Sequence, residues 1–250
     1  SKEDDDIAES ILQCLENERM HFHLKTEAIK VSEKGGIISV TIKKGKEEQQ
    51  IEGTHLFVAT GRIPNSDSLS LENAKIKVDD DGHILVNNNL ETNVKGVFAL
   101  GDIKGGPQFT QIAYDDFRIV RDNILHGKKR SYKNRPIPYC MYTDPQLGRI
   151  GISEQDAKEQ KLEVEIITIP GKRIPRGIES GTIEGLWKAI IDKKTNKILG
   201  AAIIGSEGGE IATVLQMAMQ GNLKAIDIRD GIFSHPSYSE SLNTLFDQLK

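Results

Sequence analysis

The spacing of apolar residues changes period several times along the chain. Acidic Glu3 to Asp6 precede Ile7, Ile11, Leu12 and Leu15, which recur on one face up to about Glu18 and predict a helix. From Met20 short β-like runs take over: 20–31, a turn at Gly35-Gly36, then Ile37 to Ile42, with Lys43 to Gln50 as a polar hairpin tip. His55 to Ala59 reads as a short apolar strand ended by Gly61 and Pro64. Asp79 to Gly82 separates Ile76–Val78 from Ile84–Val86 and reads as the turn of a hairpin. Val97 to Leu100 predicts a second buried strand, stopped at Gly101-Asp102, and a helix follows from near Gln108 to about Leu125.

Basic, polar and proline residues then cluster from His126 to Pro138 without apolar periodicity, which marks a boundary. Beyond it strands are expected near 138–142 and 147–151, then a short helix capped by Ser153 with Glu154 and Asp156 in its first turn. Strands at about 163–169, 186–192 and 198–204 follow, the last two joined around Lys193 to Asn196. A helix near 207–220 turns Ile211, Leu215, Ala218 and Met219 inward, and short helices finish the chain. The second half is thus α+β with antiparallel strands.

Composition narrows the function. Thirty-three basic and 37 acidic residues give a net charge of −4, which leaves no basic surplus for a nucleic-acid backbone. No apolar run approaches the roughly 20 residues of a membrane-spanning helix. The only cysteines, Cys14 and Cys140, form no disulfide framework, no C-x-x-C pair and no cysteine-based zinc site. With no membrane span and no disulfides a cytoplasmic location is expected; the lack of a signal-peptide pattern adds little, because the first residues read like the approach to a helix in mid-domain.

Two segments suit ligand binding. Ala59-Thr60-Gly61-Arg62-Ile63-Pro64-Asn65 follows an apolar run, and its glycine lets a backbone approach a ligand closely. Val97-Phe98-Ala99-Leu100-Gly101-Asp102 places a carboxylate at the end of a second such run, where open sheets bind ligands. The helix starting near Gln108 adds backbone N–H donors beside it. A third segment, His235-Pro236-Ser237-Tyr238-Ser239-Glu240, pairs a side chain that titrates near neutrality with a carboxylate able to fix its tautomer and raise its basicity.

In this order and spacing, the three segments resemble the A-T-G-R-x-P-N, G-D and H-P-x-x-x-E signatures of the FAD-dependent pyridine nucleotide–disulfide oxidoreductases. The resemblance extends over essentially the whole chain. It implies an incomplete doubly wound α/β nucleotide-binding part of FAD/NAD(P)-binding type, followed by an α+β dimerisation domain with an antiparallel sheet. The implied division is 1–56, the end of the NAD(P)-binding domain; 57–134, the C-terminal segment of the FAD-binding domain; and 135–250, the dimerisation domain. Asp102 is expected at the ribityl–phosphate region of FAD. Gln108, Phe109, Thr110 and Gln111 are expected beside the flavin ring, and Gly61 near the nicotinamide nucleotide and the flavin edge. His235, held by Glu240, would be the acid–base residue for redox thiols, acting in the other subunit of a homodimer.

Gly105-Gly106-Pro107-Gln108-Phe109-Thr110, the run Tyr114 to Asp122 and Ile174-Pro175-Arg176 are similar to a mercuric-reductase-like branch. That branch includes flavoproteins protecting bacteria from reactive chlorine and hypothiocyanous acid. Mercury reduction itself is disfavoured, because the chain ends Asp247-Gln248-Leu249-Lys250 without paired cysteines and carries His235. A disulfide or oxidised thiol species is the expected substrate class, reduced with electrons from NAD(P)H through FAD.

Two features of that family are missing. No two of the 23 glycines are spaced two apart, so no G-x-G-x-x-G fingerprint is present, and there is no C-x-x-x-x-C redox pair. The chain reads as a C-terminal piece that is inactive alone. A non-catalytic dimerisation module is the alternative, with 135–250 resisting protease better than 1–60. No metal site is expected: His21 and His23 read as a half-exposed strand, and the two cysteines as packing residues.

Overall fold

The computed structural model describes residues 3–249. The chain forms two compact units, one being Arg19–Ile63 and the other combining the N-terminal segment through Glu18 with the chain from Pro64 onward.

Helix α1 (Asp5–Asn17) forms where the sequence predicts it, with Asp5 and Asp6 in its first turn and Ile7, Ile11 and Cys14 buried. The smaller unit is an antiparallel meander of β1 (Glu27–Lys34), β2 (Ile37–Lys44) and β3 (Glu47–Gly53). Two expectations are corrected here. The strand expected from residue 20 starts at Glu27, leaving His21 and His23 in irregular, exposed chain. The polar stretch 43–50 is not all hairpin tip, since Glu47 to Gln50 belong to β3. There Lys43 faces Glu48 and Lys44 faces Glu47, so opposite charges support a strand with little apolar character.

The strands expected at 55–59 and 97–100 do not form. Phe57 and Val58 are exposed without regular structure, and Phe98 makes a single bridge to Glu91. A strand needs a neighbour to take its backbone hydrogen bonds, and among the described residues 97–99 meets only the short stretch 90–92, too little for a regular strand. The hairpin expected at 76–86 is likewise reduced to one bridge, Val78 to Ile84, although the Asp79 turn closes as expected. Helix α2 (Thr110–Leu125) buries Ile112 and Ile119. The boundary segment packs on it: Arg130 and Arg135 reach back to Asp115, Asp116 and Asp122.

The C-terminal half carries β4 (Tyr139–Met141), β5 (Gln146–Gly151), α3 (Glu154–Glu159), β6 (Val164–Pro170), α4 (Pro175–Ser180), β7 (Leu186–Asp192), β8 (Ile198–Gly205), α5 (Gly208–Gln220), α6 (Ala225–Arg229) and α7 (Ser241–Phe246). Its strands form one antiparallel sheet in the order β4-β5-β8-β7-β6. Ser153 caps α3 in a capping box with Asp156. One core joins Trp187, Ala189, Ile191, Ala201 and Ile203 of the sheet to Ile211 and Leu215 of α5 and to Leu242, Leu245 and Phe246 of α7. At Gly148 the sheet comes so close to α5 that a Cβ would lie 2.1 Å from the carbonyl oxygen of Gly208, so only glycine fits.

Helix α1 packs on this sheet as well, its Ile7, Ile11 and Cys14 meeting Leu147, Ala202 and Ile204. Beside that apolar contact lies a charge cluster. Lys188, with a side chain 1 % exposed, binds Asp6 and Glu154, while Arg149 binds Glu3 and Asp4 at 3.2 and 3.3 Å. The hydroxyl of Tyr139 donates to Glu3. No helix among the described residues is long and apolar enough to cross a membrane.

Candidate functional site

The His235–Glu240 pair lies in the loop between α6 and α7. Its backbone folds back on itself: Ser237 Oγ donates to the Ser234 carbonyl, and the Glu240 N–H donates to Ser237 Oγ. The Glu240 carboxylate accepts from the Ser237 N–H through Oε1 and meets His235 Nδ1 at 2.9 Å through Oε2. The imidazole is 72 % exposed and the carboxylate 19 %, so the base faces outward on a half-buried support. The Glu240 hydrogen bond raises the His235 pKa above the ordinary histidine value. In turn, His235 first and the Ser237 N–H second lower that of Glu240. With Nδ1–H donating to the carboxylate, Nε2 is the ring nitrogen left to take and return a proton. The residues that sequence reasoning paired across five positions are thus brought into contact.

The second group surrounds the start of α2. Gly101 has φ of +68°, and the chain from Gly101 to Lys104 makes a 3₁₀ turn carrying Asp102. A Cβ on Gly101 would lie 3.1 Å from the Ala113 side chain, so the turn sits directly against the first turns of α2. Phe109 is the N-cap of that helix without a side-chain cap, Thr110 opens it, and no acidic residue stands in its first turn. Gln108 precedes the cap, and Gln111 Nε2 donates to the Pro138 carbonyl. The Phe109 ring stacks on Tyr139 with centroids 5.9 Å apart. The positive end of α2 and the adjoining glycine turn fit an anionic or carbonyl-rich ligand, as the pyrophosphate and ring of FAD would be. Gly61, with φ of +129°, lies in the smaller unit.

Sequence reasoning missed Asp116. This buried carboxylate on α2 accepts the Gly101 N–H at 2.9 Å and Arg135 Nη1 at 2.6 Å, with Lys104 Nζ at 3.5 Å. Its signal was available as a charged residue on the apolar face of a predicted helix, four residues after Ile112 and three before Ile119. Two carboxylate clusters also form, Asp79–Asp81–His83 and Asp4–Asp6–Glu154. In the second, Lys188 already occupies the carboxylates.

Comparison with known proteins points to one family. Residues 1–116 match the family described as pyridine nucleotide-disulphide oxidoreductase, and residues 137–246 match the dimerisation domain of the same family. The probable pyridine nucleotide-disulfide oxidoreductase RclA of Escherichia coli (strain K12) is 37 % identical over 250 residues, covering 100 % of this chain and 56 % of the relative. A mercuric reductase of Staphylococcus aureus is 31 % identical, covering 96 % of this chain and 44 % of that protein. A dihydrolipoyl dehydrogenase of Buchnera aphidicola is 33 % identical, covering 96 % and 50 %. The chain spans about half the length of these curated relatives. Among solved structures, the HOCl-induced flavoprotein disulfide reductase RclA from Escherichia coli superposes with a TM-score of 0.93 at 37 % identity, over 100 % of this chain and 57 % of that one. Two matches to one family, in its order and over both halves of the chain, agree with the motifs and the fold: the chain belongs to the pyridine nucleotide–disulfide oxidoreductases, in the branch that contains RclA.

Proposed function

We propose that this chain is part of a flavin-dependent enzyme that passes electrons from NAD(P)H through FAD to a redox disulfide and then to a substrate disulfide or oxidised thiol. The observation that carries this reading is the contact of His235 Nδ1 with Glu240 Oε2, which leaves an outward-facing Nε2 at raised basicity. In this reading Nε2 removes the proton from a thiol elsewhere in the enzyme. The thiolate attacks one sulfur of the substrate disulfide, a new S–S bond forms, and the departing thiolate takes its proton from the imidazolium. Glu240 keeps the ring in the productive tautomer and stabilises its charged form.

FAD, when bound, supplies the hydride-to-thiol electron relay that no side chain here provides. Asp102 and the Gln108–Thr110 start of α2 would hold it, with Gln111 tied to Pro138 behind them, and Gly61 would face the nicotinamide nucleotide. The division into 1–56, 57–134 and 135–250 remains the one the family resemblance implies. Pairing of two copies through 135–250 is supported by the match to a dimerisation domain. The lack of a dinucleotide fingerprint and of a C-x-x-x-x-C pair in this sequence supports the reading that the chain is inactive alone.

A second reading, a non-catalytic dimerisation module, is favoured by one observation: the main core is built wholly from residues beyond β4. The two are separated by joining this chain to an N-terminal half with both fingerprints and the cysteine pair. The first reading predicts flavin bands near one per chain, reduced severalfold by Asp102→Ala; a colourless product at the correct mass supports the module.

A further inference from the structure

The side-chain hydrogen bonds of His235, Ser237 and Glu240 are made within their own loop, and those of the Tyr238 hydroxyl leave it. The Tyr238 hydroxyl lies 2.7 Å from Ser180 Oγ, at the end of α4, and 2.9 Å from Thr182 Oγ1 in the turn that follows. Ser206, after β8, bonds to the same phenol. Ser180 has one proton, and the Arg176 carbonyl at 2.9 Å can only accept it, so the phenol donates to Ser180; Thr182 Oγ1, 2.9 Å from both oxygens, gives its one proton to either of them. The ring itself packs on the main core. One side chain therefore ties the exposed loop to α4 and to the end of the sheet.

We infer that Tyr238 is a positioning residue for the His235–Glu240 pair, acting through its hydroxyl, an inference that rests on the acid–base role proposed above. Without the tether the loop's place over α4 is no longer fixed, and an exposed imidazole shares its carboxylate with water for more of the time. The charged groups facing the pair are Glu240 on its own loop and Glu179 on α4, with Arg176 of α4 facing Tyr238. Both carboxylates favour the protonated ring, so loosening the loop lowers its affinity for the proton.

The test is a histidine NMR titration on the chain as it stands. Tyr238→Phe preserves the ring and removes only the hydroxyl. It should move the His235 midpoint down by about half a pH unit, in the direction of Glu240→Gln but by less. The pair Ser180→Ala with Thr182→Ala breaks the same bonds from the other side and should reproduce the shift, which guards against a folding defect of one variant. An unchanged His235 midpoint in both variants, with Glu240→Gln still lowering it, overturns the inference. The titration reads the geometry of the pair and disulfide exchange reads its role, so the two proposals fail separately.

Discussion

The carboxylate of Asp116 accepts the backbone N–H of Gly101 at 2.9 Å, so a fully buried charge on α2 fixes the turn that carries Asp102. Arg135 at 2.6 Å and Lys104 at 3.5 Å supply the counter-charge, and neither is well exposed. Removing the carboxylate leaves two poorly solvated cations and an unpaired buried N–H. Asp116→Ala should therefore destabilise the unit by roughly 3–5 kcal/mol, the usual cost of stripping one partner from a buried pair. Chemical denaturation of the two chains checks this. A loss below about 1 kcal/mol would show that Arg135 and Lys104 find water instead.

Lys188 fastens the start of α1 to the sheet in a similar way. Burial lowers its affinity for a proton, and the hydrogen bonds to Asp6 and Glu154 outweigh burial, leaving its pKa raised above 10.5. A raised folded value means that the lysine's contribution is complete below 10.5 and disappears as pH rises through the folded value. Hydrogen exchange over residues 5–17 should show protection that Lys188 supports equally at pH 6 and pH 9, when corrected for intrinsic exchange. Lys188→Ala should lose much of that protection at both. A Lys188-dependent decline between those two values would contradict the sign of the shift.

Much of this molecule is legible in its sequence, and the failures share a cause. Helices α1 and α2, the Ser153 cap and the five strands of the larger sheet are carried by local periodicity and by neighbours within the chain. The apolar runs at 55–59 and 97–100 have strand character too, yet strand formation depends on a partner that local sequence does not describe. Polar β3 was hidden for the opposite reason, its stability lying in cross-strand charge pairs. Of the candidate site, His235 and Glu240 were legible because both belong to one short motif. Asp116, Tyr238 and their partners act across 12 to 58 positions, a distance over which spacing says nothing.

Both cysteines should be poor nucleophiles. Burial raises the thiol pKa of Cys14 above 9.0, with Glu184 adding to it, and burial together with Glu210 does the same for Cys140. Less thiolate at pH 7.5 than in a free thiol means slower attack. Reaction with a chromogenic disulfide should run slower than that of glutathione for both residues, slowest for the buried Cys14. A cysteine reacting faster than glutathione would revive a redox role for this chain's own thiols.

The most direct test of the central claim separates the two half-reactions in an enzyme made by joining this chain to an N-terminal half that carries both fingerprints and the cysteine pair. Rapid mixing follows flavin reduction by NAD(P)H and, in the same preparation, the thiol–disulfide exchange that comes after it. If His235 is the acid–base residue, His235→Ala slows exchange at neutral pH by about 10²-fold or more and leaves flavin reduction nearly unchanged. Equal slowing of both steps, or none in exchange, would contradict the role assigned to the pair.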